Sequence, residues 1–263
     1  MSIRVKRLTE PTLKEPLLIC GLPDRGFIAK QVVDYLVEKL NAELFEEIYS
    51  SYFPSYVLIK KDGTVELMKN ELYFWRNNGG GSDLILLTGN TQPLTPEGQY
   101  EVAEDILVKA ENLGVKRIFT ISSYFVEKHS TEKPKVYGVV TNPNLKEEVV
   151  KHGVQLLDRG SVKGFNGLLF GLAKLKNIGG ICLLGETVEY TTPSGRMVID
   201  VKAAQSVLEV LLKITGIEVD LSEIEKQAKT TEEFLRRIEE AEHQALEEIS
   251  KTLTPKRQTY YYI

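Results

Sequence analysis

A short apolar run, a turn and an amphipathic helix follow one another in PLLICGLPDRGFIAKQVVDYLVEKLN (16–41). PLLIC (16–20) predicts a buried strand. From residue 26 to residue 41, apolar side chains recur at three- and four-residue spacing, which is typical of a helix with one buried face. These side chains are Ile28, Val32, Val33, Leu36 and Leu40. The stretch therefore predicts one strand–helix unit of an α/β domain.

The same alternation continues along the chain. DLILLTG (83–89) and GICLLG (180–185) are continuous apolar runs, as in strands that are buried on both faces. GQYEVAEDILVKAENLG (98–114) and VKAAQSVLEVLLKITG (201–216) predict helices that end at glycine. Between the first two units, four short apolar runs (ELFEEI, SYVLIK, TVELMK and ELYFWR) predict a β-meander. We therefore expect a layered α/β domain around a mostly parallel sheet, over residues 1–221.

Composition excludes several classes of protein. The chain has 263 residues, of which 42% are apolar and 27% charged, and its net charge is −4. Nucleic-acid binding would need a basic excess, so we expect no nucleic-acid partner. No apolar run has the length of a signal peptide or of a membrane-spanning helix, so we expect no membrane association.

The two cysteines, Cys20 and Cys182, each lie inside an apolar run. This placement predicts buried thiols in a reducing compartment, and hence a cytoplasmic protein, although a disulfide between them stays open. Apolar surroundings raise a thiol's pKa, so catalysis by either cysteine is not expected.

The composition changes after residue 221. Residues 222–252 predict an amphipathic helix with a narrow apolar stripe and a wide charged face. The stripe consists of Ile224, Ala228, Leu235, Ile238, Ala245 and Ile249. This helix could pack on its own domain or contact a partner subunit. Pro255 should break it, which leaves residues 253–263 as a flexible tail.

Candidate catalytic groups form no recognisable constellation. The turn GLPDRG (21–26) fits neither a dinucleotide fingerprint nor a P-loop, so we interpret it as structural, with a ligand site as the alternative. His129, His152 and His243 lack metal-ligand spacing. TTPSGRM (191–197) is interpreted as a hairpin loop. We assign no catalytic, cofactor-binding or metal-binding residue.

An enzyme, if there is one, would use the ends of the predicted strands. Glu186 and Thr187 follow the apolar run 180–185, while Asp83, Thr88 and Asn90 flank the run 83–89. Open α/β sheets bind ligands at the carboxyl ends of their strands. A small-molecule enzyme with a pocket there is the alternative function.

The final residues of the sequence suggest a docking motif. Tyr261, Tyr262 and Ile263 match a hydrophobic residue, a penultimate tyrosine and a terminal residue. Tyrosine combines an apolar body with a hydroxyl group that can form a hydrogen bond. A free α-carboxylate at Ile263 can pair with a lysine or with backbone N–H groups. The alternative is that the tail folds back on its own domain or is unused.

Several blocks of the chain together resemble the proteasome-assembly-chaperone family, and most of all its archaeal homologues that activate the core proteasome without ATP. The resemblance extends from about residue 14 to residue 225. Its blocks are GLPDRGFIAKQVVDYLVEKLNAE (21–43), SDLILLTGNTQP (82–93), GQYEVAEDIL (98–107), GFNGLLFGLAKLKNIGGICLLGET (164–187) and AAQSVLEVLLKITGIEVDLSEIE (203–225).

The resemblance implies a Rossmann-like three-layer α/β fold and a homo-oligomer of four or five subunits, without catalysis or a cofactor. The tails would insert between neighbouring α subunits of the core proteasome ring. Tyr262 would fill the pocket, Tyr261 would supply the hydrophobic contact, and the Ile263 carboxylate would pair with a pocket lysine. A docked tail would favour the open gate.

The chain departs from the family pattern at three places. Asp24 and Arg25 stand where many relatives have small residues, Ser122 and Ser123 stand where glycines are usual, and TTPSGRMVI (191–199) is an addition. These departures weaken the transfer of a small-molecule site but leave the tail untouched.

Overall fold

The computed structural model describes residues 2–127, 133–188 and 198–253, and it describes no side chain at 238, 239 or 241–253. The strands are β1 (Ile3–Arg7), β2 (Leu17–Cys20), β3 (Glu43–Ser50), β4 (Val57–Ile59), β5 (Val65–Leu67), β6 (Asn70–Trp75), β7 (Leu84–Gly89), β8 (Arg117–Phe125), β9 (Val136–Val140), β10 (Gln155–Leu156) and β11 (Gly179–Thr187). The helices are α1 (Ile28–Lys39), α2 (Pro96–Asn112), α3 (Lys146–Lys151), α4 (Gly164–Leu175), α5 (Val201–Thr215) and α6 (Ser222–Leu253).

Nine strands form one mixed sheet in the order β1-β3-β6-β7-β2-β8-β11-β9-β10. The four central strands, β7-β2-β8-β11, are parallel to one another. The remaining pairings are antiparallel, except that β10 runs parallel to β9. The α/β class is confirmed, and the predicted parallel arrangement holds for the centre of the sheet but not for its sides.

Helices cover both faces of the central strands, because those strands are apolar on both faces. All six residues of β7 are buried. On one face the sheet packs against α1 and α5, and on the other against α2 and α4. Local sequence sets the helix ends: the Thr95 hydroxyl accepts a hydrogen bond from the Gly98 N–H at 3.1 Å, and α5 ends at Gly216 with φ 69°. The result is a three-layer domain.

The predicted meander is wrong in its pairing. Strand β3 pairs with β6, and β4 and β5 form a separate two-stranded hairpin. Phe45, Leu72 and Phe74 are each at most 3% exposed, and the rings of Phe45 and Phe74 lie 6.1 Å apart. Pairing β3 with β6 buries these large side chains in the core, so the chain between them leaves the sheet.

The start of α6 packs on the domain. Ile224 and Ala228 are buried in the layer that also contains α1 and α5, and Leu235 is buried as well. The Tyr35 hydroxyl donates a hydrogen bond to the Asp220 carbonyl oxygen at 2.7 Å, which fixes the entry to the helix against α1. The other predicted apolar positions of this helix lie outside the described side chains, and the domain boundary at residue 221 stays a prediction.

Candidate functional site

A cleft of about 1230 Å³ opens at the carboxyl ends of the parallel strands. Its walls come from the β2–α1 turn, the segment after β7, the end of β8 and the segment before α4. After β2 the chain crosses to β3 on one side of the sheet, and after β8 it continues to β9 on the other side, so the direction of the connections reverses between the parallel strands β2 and β8. In open α/β folds this is where ligands bind.

The β2–α1 turn is held tightly against the helix that follows it. A Cβ atom on Gly21 would lie 2.1 Å from the Ala29 carbonyl oxygen, so this position excludes any side chain. The backbone of Phe27 has φ 56°, and its N–H donates to the Asp24 carbonyl oxygen at 3.1 Å. These contacts account for GLPDRG as a structural turn.

Asp24 occupies the amino end of α1, where a phosphate would otherwise sit. The Ser123 hydroxyl donates to Asp24 Oδ2 at 2.6 Å. Oδ1 makes no well-formed hydrogen bond within the described residues. Burial raises the pKa of this carboxyl, while the Ser123 hydroxyl and nearby amides such as that of Ala29 favour its charged form. The carboxylate disfavours an anionic ligand at this helix end.

Two amide side chains fix the cleft's walls to each other. Gln92 donates from Nε2 to the Pro23 carbonyl oxygen at 2.7 Å and accepts the Phe165 N–H on Oε1 at 3.0 Å. Asn166 accepts the Leu22 N–H at 3.3 Å and donates to the Leu22 carbonyl oxygen at 3.1 Å. The turn and the start of α4 are therefore rigidly connected.

The predicted strand-end residues do not form one site. Asp83 precedes β7 and accepts hydrogen bonds from the N–H groups of Lys14 and Asn77 at 2.6 and 2.8 Å. It therefore lies at the amino end of the strand, away from the cleft at the carboxyl ends. The Thr88 hydroxyl donates to Asp34 at 2.5 Å. Asn90 does line the cleft, and its Oδ1 accepts from the Lys69 N–H at 2.8 Å.

Glu186 and Thr187 belong to β11 itself and do not follow it. Glu186 is completely buried and accepts a hydrogen bond from the Tyr137 hydroxyl at 3.2 Å. Thr187 donates to Asp200 at 3.0 Å, and Asp200 caps α5 by accepting the Ala203 N–H at 2.9 Å. Both residues are part of the domain's internal hydrogen bonding.

Sequence reasoning missed several of the polar groups that line the cleft. Gln92, Ser122 and Ser123 lie there, and they were not predicted as site residues. Their positions just after β7 and at the end of β8 could have indicated them. Among the described residues the lining contains no histidine, and the Ser123 hydroxyl donates to the buried Asp24 carboxylate of the structural β2–α1 turn.

Both cysteines are buried, as predicted, and both are free thiols, which settles the disulfide that the sequence left open. Cys20 and Cys182 pair with Thr120 from either side, so one whole strand separates them and no disulfide joins them. Burial raises the pKa of each thiol to about 12. Neither is a nucleophile at neutral pH.

Within the described ranges, no group of three His, Cys, Asp or Glu side chains is arranged to hold a metal ion. None of the helices in those ranges is long and apolar enough to cross a membrane. The tail residues Tyr261, Tyr262 and Ile263 lie outside the described residues, as does the predicted loop 191–197.

Comparison with known proteins shows the family. The profile of the PAC2 family matches residues 18–239 of the chain. The chain belongs to the PAC2 family. A curated protein of Methanocaldococcus jannaschii, described as uncharacterized, is 37% identical over 235 residues, which are 89% of this chain and 87% of that protein.

Two solved structures from Pyrococcus furiosus are similar to this PAC2-family chain. Pyrococcus furiosus PbaB, an archaeal proteasome activator, is 35% identical, with a TM-score of 0.81 over 90% of this chain and 99% of that one. Pyrococcus furiosus PbaA, an archaeal homolog of proteasome-assembly chaperone, is 23% identical, with a TM-score of 0.72 over 96% and 98%, and shows the shared fold. The predicted family is confirmed, and the functions of these PAC2-family relatives are non-enzymatic.

Proposed function

We propose that this PAC2-family protein is an ATP-independent proteasome activator and assembly chaperone that acts in the cytoplasm. The observation that carries the proposal is the 35% identity to the Pyrococcus furiosus activator PbaB over nine-tenths of the chain. The buried free thiols are consistent with a reducing compartment. No histidine lines the cleft in the described residues, and its Ser123–Asp24 contact belongs to a structural turn, so the cleft adds no support for an enzyme.

The contact with the proteasome would be made by the tail. Tyr262 enters a pocket between two α subunits of the ring, Tyr261 packs on its apolar edge, and the Ile263 carboxylate pairs with a lysine. Tyrosine gives such an anchor both apolar area and a hydroxyl donor. The bound tail shifts the ring toward its open state because it binds that state more tightly than the closed one.

A single anchor of three residues should bind weakly, so the proposal includes a homo-oligomer of four or five subunits. Several tails on one rigid assembly bind as a set, and their effective concentration can add about 10² to 10⁴ in avidity. Helix α6, whose first turns pack on the domain, would hold the tails in a common direction.

Peptide hydrolysis by purified archaeal core proteasome, without ATP, tests the proposal. The full chain should stimulate hydrolysis, and both a chain lacking 261–263 and Tyr262→Ala should lose the stimulation. Tyr260→Ala is the matched control, because it removes the same side chain just outside the docking motif and should retain activity.

Surface-immobilised proteasome separates the parts of the proposal. Loss of both binding and stimulation on removal of the tail would support the tail as the anchor. Stimulation that survives the deletion would overturn the docking motif but keep the activator. A full chain that neither binds nor stimulates would overturn both.

A further inference from the structure

The cleft at the carboxyl ends of the parallel strands contains a mostly buried hydroxyl group that the chain itself does not pair. Ser122, near the end of β8, is 8% exposed and lines the cleft. Its side chain forms no hydrogen bond with any described residue. Because a hydroxyl group removed from bulk water is costly without a partner, this position is suited to a bound water or to a ligand.

A second hydroxyl group lies on the same side of β8. Side chains alternate along a strand, so Ser122 and Tyr124 lie on one face of the sheet and Ser123 lies on the other. The Tyr124 ring stacks on the ring of Tyr137, with centroids 4.4 Å apart, which fixes its orientation. In the part of the chain that the structure describes, the Tyr124 hydroxyl has no hydrogen-bond partner either. The end of β8 therefore offers two unused hydroxyl donors to the cleft.

Charge in the cleft favours an anionic group near the start of α4. The described lining has two acidic and three basic side chains, namely Asp24, Asp158, Arg25, Arg159 and Lys163. Asp24 lies at the β2–α1 turn, and the Asp158 carboxylate lies 4.0 Å from the Arg159 guanidinium. Lys163, which precedes α4, forms no ion pair within the described residues. A negative group is therefore better placed beside Lys163 than beside Asp24.

Aromatic surface forms another part of the lining. Phe27 and Phe125 line the cleft and are each 38% exposed. The Arg25 guanidinium lies 5.4 Å from the centre of the Phe125 ring, which is a cation–π contact. Phe27 has φ 56°, a backbone conformation that is strained for a bulky residue. Strained residues cluster at binding sites, and here the strained turn holds an aromatic ring at the cleft.

We propose that the cleft binds a small organic acid that carries an aromatic ring, and that it does so without catalysis. Ser122 and Tyr124 donate hydrogen bonds to the acidic group, and Lys163 supplies the opposite charge. The ring of the ligand lies against Phe27 and Phe125, which shield it from water. The tail has no part in this site, so the proposal is independent of proteasome binding.

The walls of the site are in place before a ligand enters. Gln92 links the β2–α1 turn to Phe165 at the start of α4, and Asn166 adds two hydrogen bonds to Leu22. Walls that are already ordered lower the entropic cost of binding. The cleft volume of about 1230 Å³ admits a ligand of drug size together with water.

Fluorine NMR with two small probes tests the class of ligand on the full chain. The first probe, 4-fluorophenylacetate, has both the ring and the acid, whereas 4-fluorophenylacetamide keeps the ring and is neutral. Line broadening of the fluorine signal measures binding. The acid should bind, and the amide should bind about two- to fivefold more weakly, because it forms no ion pair at this partly exposed site. Equal binding of acid and amide, or no broadening of either signal, would overturn the proposal.

Two variants test whether the acid binds in the cleft. Ser122→Ala should weaken its binding about fivefold without lowering the melting temperature, because the chain itself does not use this hydroxyl group. Ser206→Ala, at a buried serine of α5 outside the cleft, is the matched control and should bind the acid like the unchanged chain. Lys163→Gln should abolish the preference for acid over amide, while Lys174→Gln, at an exposed lysine of α4, should keep it.

The same measurements contain the results that would contradict the site. Unchanged binding of the acid by Ser122→Ala and Lys163→Gln would overturn the proposal. A lower melting temperature for Ser122→Ala would also overturn it, because the hydroxyl group would then serve the fold and not a ligand.

Discussion

Strand β7 and the β4–β5 hairpin contain similar side chains in opposite environments. The leucines and isoleucine of β7 are at most 1% exposed, whereas four aliphatic residues of the hairpin are between 43% and 80% exposed, namely Val57, Ile59, Val65 and Leu67. Both read as strands in the sequence. The difference teaches that apolar character predicts the strand but does not predict whether its own chain covers it. Helices pack on both faces of β7, whereas the side chains of the hairpin stay largely exposed.

The largest loss of stability is expected from a substitution in the buried strand β7. Leu86→Ala removes a fully buried side chain of β7 and should lower the free energy of unfolding by about 4 kcal/mol, because a cavity remains. Urea denaturation measures the change. A loss under about 1 kcal/mol would mean that the central layer can collapse around the site.

Lys69 lies between the β4–β5 hairpin and strand β6, and its ion pairs should stabilise the fold where the hairpin joins the sheet. Burial lowers the pKa of Lys69, but its hydrogen bonds to Glu47, Glu71 and Glu66 outweigh burial and raise it. Lys69→Met leaves these carboxylates close together and should cost about 3 kcal/mol at pH 7. Lys60→Met, at an exposed turn position without an ion pair in the described residues, is the control and should change stability by less than about 0.5 kcal/mol.

The cost of Lys69→Met should depend on pH. Burial raises the pKa of Glu47, but hydrogen bonds from Lys6 and Lys69 prevail and lower it from 4.5 to about 2. A depressed carboxyl pKa stabilises the fold above pH 4.5, and this contribution is lost as the pH falls toward 2. The difference between the variant and the unchanged chain should therefore narrow across that window in urea titrations. A constant difference would contradict this account.

A smaller loss of stability is expected at Gly21, the residue that follows β2. Gly21→Ala places a methyl group against the backbone of α1 and should destabilise the domain by about 2 kcal/mol. Gly171→Ala, in α4, meets nothing within 4 Å and should instead stabilise by about 0.5–1 kcal/mol, because alanine favours helix. Thermal unfolding of both variants gives the comparison, and the same sign for both would refute the steric explanation.

The smallest loss of stability is expected in the β4–β5 hairpin. In dilute solution, Ile59→Ala should change the free energy of unfolding by less than about 0.5 kcal/mol, because its side chain is largely in water. Urea denaturation checks this. A large loss would show that the hairpin packs on its own chain.

Much of the fold was predictable because its signals are local. The periodicity of residues 26–41 and 201–216 predicted α1 and α5, and the apolar runs at 83–89 and 180–185 predicted two central strands. The candidate site was less predictable. Asp83 and Thr88 are five residues apart, yet they lie at opposite ends of one strand, while Asp24 and Ser123 are 99 residues apart and share a hydrogen bond. Spacing in the sequence says little about contacts made across a sheet.

The sequence by itself determined the α/β class, the helices, the buried thiols and the family, because each depends on residue type and on short-range pattern. It also contains the whole basis for the proposed tail anchor, Tyr261 to Ile263. Tertiary structure decided the strand order, the exclusion of the hairpin from the sheet and the assembly of the cleft. These depend on which distant segments bury the most apolar surface together, as Phe45 and Phe74 do when β3 pairs with β6.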